Sequence, residues 1–127
     1  MKLTQEITNK YYKFKENKDI CSLIIGVMHL IECPNSYCDD GDYTAVIVKS
    51  YYVNIGNYFN DKLNDWNDFS SITVTTEYFK LNDEYPRVFS DCTEITENDY
   101  TDISNIFKTE LSKKGVCNNI SNKINNL

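Results

Sequence analysis

Residues 43–54, YTAVIVKSYYVN, and residues 20–33, ICSLIIGVMHLIEC, decide the fold class. The first run is rich in β-branched and aromatic residues, which favour β-strands. The second run has apolar residues on both faces of an alternating pattern, which is typical of a central strand with both faces buried. Pro34, Asn35 and the acidic residues 39–42 lie between the runs and indicate a turn. Together the two runs predict an antiparallel hairpin with a loop of about eight or nine residues.

The segments on either side of this hairpin predict both helices and strands. Leu3, Ile7, Tyr11 and Phe14 follow a helical spacing, which predicts a helix over residues 4–17. Thr96, with Asp99 three residues later, is typical of a helix N-terminus. The further predicted elements are a polar helix at 54–68, strands at 71–81 and 87–95, and a last helix ending near residue 114. The sequence therefore predicts an α+β fold: an antiparallel sheet of about four strands with helices packed on it, in the order α-β-β-α-β-β-α.

The chain length of 127 residues fits one domain. We expect residues 1–117 to form that domain. Residues 118–127 are rich in Asn and Ser, so we expect a frayed polar tail there. No apolar run approaches the length of a membrane span, and the lysine-bearing N-terminus does not resemble a secretory signal. The expected location is therefore cytoplasmic.

The charge distribution indicates the kind of partner. The net charge is −6 over the whole chain and −11 over residues 32–110, between weakly basic ends. Phosphate backbones are bound by clustered Lys and Arg, which this sequence does not have, so we expect no direct binding to nucleic acid. An acidic surface instead favours a protein with a basic surface, such as a nucleic-acid-binding protein. The scarcity of Arg and Ala and the abundance of Asn favour a microbial, phage or viral source.

The candidate residues for a metal-binding or catalytic site are His29, Cys33 and Cys38. These residue types bind zinc, but zinc sites usually have closely paired ligands with a second pair at a distance. His29 is also the sole histidine and lies within an apolar run, which favours a buried structural role. We therefore predict no metal and no cofactor. A small enzyme or ligand-binding domain centred on these three residues remains the alternative.

The sequence contains none of the common catalytic or phosphate-binding motifs, and it has only four glycines. We therefore assign no catalytic residues and expect a binding module rather than an enzyme. The predicted function is that of a small acidic inhibitor or immunity-type protein, antitoxin-like or directed by a phage or virus against host defence, which blocks a basic groove on its partner. The expected contacts are carboxylates on the polar helix and around the start of the last helix: Asp61, Asp65, Asp68, Glu94, Glu97, Asp99 and Asp102.

Overall fold

The computed structural model describes residues 2–19, 22–55, 71–87, 91–109 and 115–127. Over these residues, five antiparallel strands form one sheet in the order β4-β3-β2-β1-β5, and two α-helices complete the fold. The strands are β1 (Lys10–Asp19), β2 (Ser22–Cys38), β3 (Gly41–Ile55), β4 (Ser71–Lys80) and β5 (Cys92–Ile95). The helices are α1 (Glu97–Thr109) and α2 (Val116–Asn125), and a short 3-10 turn, Gln5–Ile7, precedes β1.

The predicted order α-β-β-α-β-β-α is wrong, because the predicted first helix is mostly the strand β1. Tyr12 and Phe14 point to one face of the sheet, and Tyr11 points to the other. β1 pairs with β2 on one side and with β5 on the other, so hydrogen bonds on both sides stabilise an extended backbone. A helical stripe of four residues is weak in comparison. The described residues therefore hold five strands and two helices instead of about four strands and three helices.

The predicted hairpin is confirmed, with longer strands and a tighter turn than expected. β2 and β3 pair antiparallel from Leu23 opposite Ile55 to Cys38 opposite Gly41, so only Asp39 and Asp40 lie in the turn. Gly41 has a φ of 106°, which an L-residue with a side chain rarely adopts. The residues predicted to form a long loop therefore continue the two strands. Most of the predicted polar helix at 54–68 lies outside the described residues.

Both helices pack on the same face of the sheet, which we call the helix face. Side chains of the central strands on this face contact the buried stripe of α1, including Ile103 and Phe107. The predicted N-cap is confirmed, since the Asp99 N–H donates to Thr96 Oγ1 at 3.1 Å and α1 begins at Glu97. The cluster comprises Leu23, Ile25, Val27, Val53, Tyr100, Ile103, Ile106, Phe107, Val116, Cys117, Ile120 and Ile124.

The other face of the sheet is covered by the N-terminal segment and by the chain that follows β4. Leu3 and Tyr85 are buried there against side chains of β1, β2 and β3. The Arg87 guanidinium lies 3.9 Å from the centre of the Phe14 ring, and its Nη1 lies 2.8 Å from Glu16 Oε2. The only arginine of the chain thus closes one side of this cluster. We call this the opposite face.

Residues 118–125, expected to belong to a frayed tail, form most of α2. Ile120 and Ile124 are buried against the sheet. Gly115, one residue beyond the predicted end of the preceding helix, is the N-cap of α2, with a φ of 81°. Lys13 Nζ donates to the carbonyl oxygens of Leu127 at 2.9 Å and Ile124 at 3.4 Å, where a cation offsets the negative end of the helix. The apolar spacing of α2 is short and interrupted by Asn, which explains why its sequence resembles a tail.

Candidate binding face

The helices cover only part of the helix face, and they stop at a group of aromatic residues. The rings of Tyr11 and His29 stack with centroids 4.0 Å apart, and Tyr100 of α1 packs edge-on against His29 at 5.6 Å. Tyr51 contacts Tyr100 from β3. This aromatic group forms the border between the covered and the uncovered part of the face.

Beyond the aromatic group, three apolar residues lie side by side on neighbouring strands. Ile31 of β2 is opposite Ile47 of β3, which is opposite Tyr78 of β4. Along its own strand, each of them lies an even number of residues from a side chain that packs against the helices. Because side chains alternate along a strand, all three point to the helix face. Ile31 and Ile47 are half-buried, whereas Tyr78 is 71% exposed. None of the three belongs to the two core clusters of the described residues. We call these three residues the open patch.

Charged groups border the open patch on two sides. On the side of α1, partial burial and then the neighbouring Glu97 carboxylate raise the pKa of Tyr11. On the opposite side lies the acidic β2–β3 turn, where Asp40 forms an ion pair with Lys80 at 3.7 Å. Lys49, opposite His29 in the sheet, contributes one exposed cation. The patch thus has an apolar centre, and the next residues of the same face along β3 and β4 are the cations Lys49 and Lys80, the second of which is paired with Asp40.

The environment of His29 lowers the pKa of its imidazole. Partial burial is the largest cause of its lowered pKa, followed by the positive charge of Lys49, while Glu97 acts in the other direction. The stacked Tyr11 ring fixes the plane of the imidazole. The environment therefore favours a structural histidine at the edge of an apolar surface.

The structure does not bring His29, Cys33 and Cys38 together. All three lie on the extended strand β2, in which four residues span about 13 Å, the separation of His29 from Cys33. Cys38 lies at the end of the strand, where its Sγ contacts the Gly41 carbonyl oxygen at 3.7 Å. Among the described residues, no group of three or more His, Cys, Asp or Glu side chains could hold a metal ion. The alternative centre thus has no common geometry.

The predicted acidic contacts separate into three sets. Asp61, Asp65 and Asp68 lie outside the described residues. Glu97, Asp99 and Asp102 occupy the first turns of α1, and no ion pair joins them to a described Lys or Arg. Glu94 points to the opposite face, since it is opposite Tyr12 in the sheet, and it forms an ion pair with Lys10 at 3.5 Å. Burial and then Glu94 raise the pKa of Tyr12 to about 12.

The open patch was missed in the sequence analysis. Ile31 belongs to the run predicted to be buried on both faces, and Ile47 belongs to the β-branched run 43–54. Alternation shows which residues share a face but not how far the helices extend over it. The abundance of Tyr was the one available signal, since Tyr is enriched in protein interfaces.

A shallow groove lies between β1 and the end of α2. It is lined by Lys13, Lys15, Asp91, Asn125 and neighbouring side chains, with a volume of about 200 Å³. Typical small-molecule pockets span about 300–1,000 Å³. Lys13, one of the cations that line it, already binds the carbonyl groups at the end of α2. The groove therefore serves the packing of α2.

Comparison with protein-family models, with curated proteins and with solved structures found no match for this chain. No helix in the described part of the chain has the length and apolar character needed to cross a membrane.

Proposed function

We propose that this protein is a small acidic protein-binding module of the cytoplasm that acts as an inhibitor or immunity-type protein, antitoxin-like or used by a phage or virus against host defence. In this proposal it blocks a basic groove on a partner protein, for which a nucleic-acid-binding protein is one candidate. The observation that carries the proposal is the open patch, an apolar row with an exposed tyrosine on the sheet of an acidic protein.

The composition of this surface fits a protein contact. Interface centres are enriched in aromatic residues, and their rims are polar. Tyr78 supplies the aromatic group, and the isoleucines beside it supply apolar area that a partner removes from water. The carboxylates of Glu97 and of the β2–β3 turn attract a basic partner and orient it. Asp102 on α1, which forms no ion pair with a described Lys or Arg, adds to the same field.

The test begins with partner capture. Tagged protein is mixed with lysate from candidate hosts, the retained protein is identified, and its association and dissociation rates are measured at low and moderate salt. We expect a partner with a basic surface and an association rate that falls as salt rises, because the Debye length shrinks to about 8 Å at physiological ionic strength. A dissociation rate that changes much less identifies the salt effect as electrostatic steering.

A matched pair of variants locates the contact. Ile31→Gln places an amide in the open patch, whereas Ile7→Gln makes the same change at another half-buried isoleucine that packs on the opposite face. We expect Ile31→Gln to weaken binding about tenfold or more, since buried apolar contacts carry most of the energy of an interface. Ile7→Gln should bind like the wild type. Equal affinities of both variants, or a salt-independent association rate, would contradict the proposal.

A further inference from the structure

The edge strand β4 has one side that no described strand covers. The sheet order places β4 at one end, where it pairs only with β3. The other edge strand, β5, has four residues, whereas β4 has ten. Proteins usually protect long edges with proline, bulges or several charges. β4 pairs with β3 without a bulge, contains no proline, and has Glu77 as its sole charged residue before Lys80.

The register shows which backbone groups point outward. The Leu81 N–H donates to the Thr44 carbonyl oxygen at 2.8 Å, and this pair continues the β3–β4 ladder. In an antiparallel ladder, residues alternate between bonding the neighbouring strand and pointing away from it. Odd-numbered residues of β4 therefore bond β3, and even-numbered residues direct their N–H and C=O groups outward. The Lys80 N–H is accepted by Asp83 Oδ2 at 3.1 Å, which closes the edge at that end.

The outward backbone groups belong to the same residues as the exposed apolar side chains. Ile72, Val74, Thr76 and Tyr78 point their side chains to the helix face, and Val74 is 55% exposed. One strip of chain thus offers both main-chain hydrogen bonds and apolar contacts to an added strand.

We propose that two copies of this chain pair through β4, antiparallel and related by a two-fold axis at Thr75, so that the two sheets form one continuous sheet. In this register Ile72 is opposite Tyr78 of the second copy, and Val74 is opposite Thr76. All four outward-pointing residues then exchange hydrogen bonds with their counterparts. The contact is isologous, because each copy offers the same strip to the other.

Charge selects this register over the one centred on Thr76. Glu77 is opposite Thr73 of the second copy, and the two Glu77 side chains lie four positions apart along the paired strands. A register centred on Thr76 makes the two Glu77 carboxylates diagonal neighbours about 7–8 Å apart and places Ile72 opposite the closed position Lys80. Like charges this close on paired strands disfavour that arrangement.

A side chain at the proposed axis also lacks a partner. Thr75 Oγ1 is buried and has no hydrogen-bond partner in the described part of the chain. The Thr75 side chain points to the opposite face. The Thr75 backbone groups bond β3, so they do not point toward the second copy. The two copies of Thr75 are therefore opposite each other without main-chain hydrogen bonds between them. Such pairs bring Cα atoms to about 4.5 Å, close enough for one threonine hydroxyl to bond the other after a rotation about χ1.

The experiment measures mass in solution. Sedimentation equilibrium over about a hundredfold range of concentration should show the wild type changing from 14.8 kDa to twice that mass. Thr76→Pro removes an outward N–H that β3 does not use, so the monomer fold should survive while the dimer is lost. Tyr78→Lys should also give a monomer, since it places two cations in the paired edges.

Tyr37→Lys is the matched control, since Tyr37 is 75% exposed but lies on β2, away from the edge. It should dimerise like the wild type, and Ile31→Gln should do the same, which separates this proposal from the proposed function. Circular dichroism verifies that each variant is folded. If Thr76→Pro does not fold, the mass of Tyr78→Lys in solution tests the proposal alone.

Amide exchange supplies a second measurement. At high concentration the amides of Val74, Thr76 and Tyr78 should exchange about tenfold or more slowly than at low concentration. Amides of the odd-numbered residues, which already bond β3, should change little. A wild type that stays monomeric at the highest concentration, or a dimer that persists in Tyr78→Lys, would overturn the proposal.

Discussion

The pKa of His29 depends on the charged residues at the border of the open patch. Burial and the Lys49 ammonium destabilise the imidazolium, and Glu97 partly offsets them. Because the folded pKa is lowered, the neutral ring contributes stability above about pH 6.5, and this contribution is lost as the pH falls below that value.

The single histidine makes this testable by proton NMR, since its ring signals titrate without overlap. We expect a folded-state pKa below about 6.5. Lys49→Ala should raise the pKa of His29, because it removes a repelling charge, and Glu97→Gln should lower it further. Shifts of the opposite sign would show that the charges around the ring are misassigned.

Gly26 is the position where the sheet leaves no room for a side chain. A Cβ at this position would collide with the Tyr51 carbonyl oxygen and lie 2.5 Å from the Tyr52 Cβ. We expect Gly26→Ala to lower the free energy of unfolding by about 3 kcal/mol, the upper end of the usual cost of overpacking, because the obstruction comes from backbone in the middle of the sheet.

Gly115→Ala is the comparison for Gly26→Ala. Nothing lies within 4 Å of an added Cβ at Gly115, so its cost should come only from the left-handed backbone, about 1–2 kcal/mol. Urea denaturation of both variants measures the difference. A smaller loss at Gly26 than at Gly115 would contradict the close approach of β2 and β3.

At the scale of elements, α2 is the clearest departure from the sequence analysis. Its interior consists of four apolar side chains among polar residues, yet Ile120 is fully buried. We expect Ile120→Ala to lower the free energy of unfolding by about 2–5 kcal/mol, as for other buried isoleucines. Thermal and urea denaturation measure this change.

Asn122→Ala is the matched control on the exposed side of α2, and its effect should stay within about 0.5 kcal/mol. If Ile120→Ala were as mild as Asn122→Ala, residues 118–127 would behave as the frayed tail that their composition suggests.

The elements that could be predicted from sequence are those with a strong local signal. β3 and β4 have dense β-branched residues, and α1 has a capping residue followed by a regular apolar stripe, so all three were located within a few residues. β1 could not be identified in this way, because Tyr11, Tyr12 and Phe14 satisfy a helical and an alternating pattern equally. Its strand state depends on pairing with β2 and β5, which no local pattern contains.

The candidate site was less predictable than the fold. The carboxylates at the start of α1 were proposed as contacts from charge alone, and charge does not show that Glu94 faces away from Glu97. The open patch depends on where α1 and α2 end above the sheet, a tertiary property. In the sequence, its residues do not differ from other strand residues, and only the positions of the helices show that they are left uncovered.

At the scale of the whole molecule, the last strand pairs with the first. Tyr11 is opposite Ile95 in the sheet, so this contact joins residues 84 positions apart. Such a topology makes folding slow, because the entropy of closing a long loop is lost before the pairing is gained.

We therefore expect refolding from urea on the scale of about milliseconds to seconds, as in other proteins with mostly non-local strand pairing. Stopped-flow Tyr and Trp fluorescence measures the rate. Folding within microseconds would contradict the β1–β5 pairing as the closing contact.

Strand β2 contributes alternate side chains to both clusters: Ile25 and Val27 to the helix face, Ile24 and Met28 to the opposite face. One backbone segment therefore belongs to two cores, and it cannot leave one without leaving the other. Along β2, the described residues offer no boundary at which one layer could unfold while the other stays intact. Consequently a lesion on either face shortens the lifetime of the entire native state, and a ligand held on one side steadies the packing on the other.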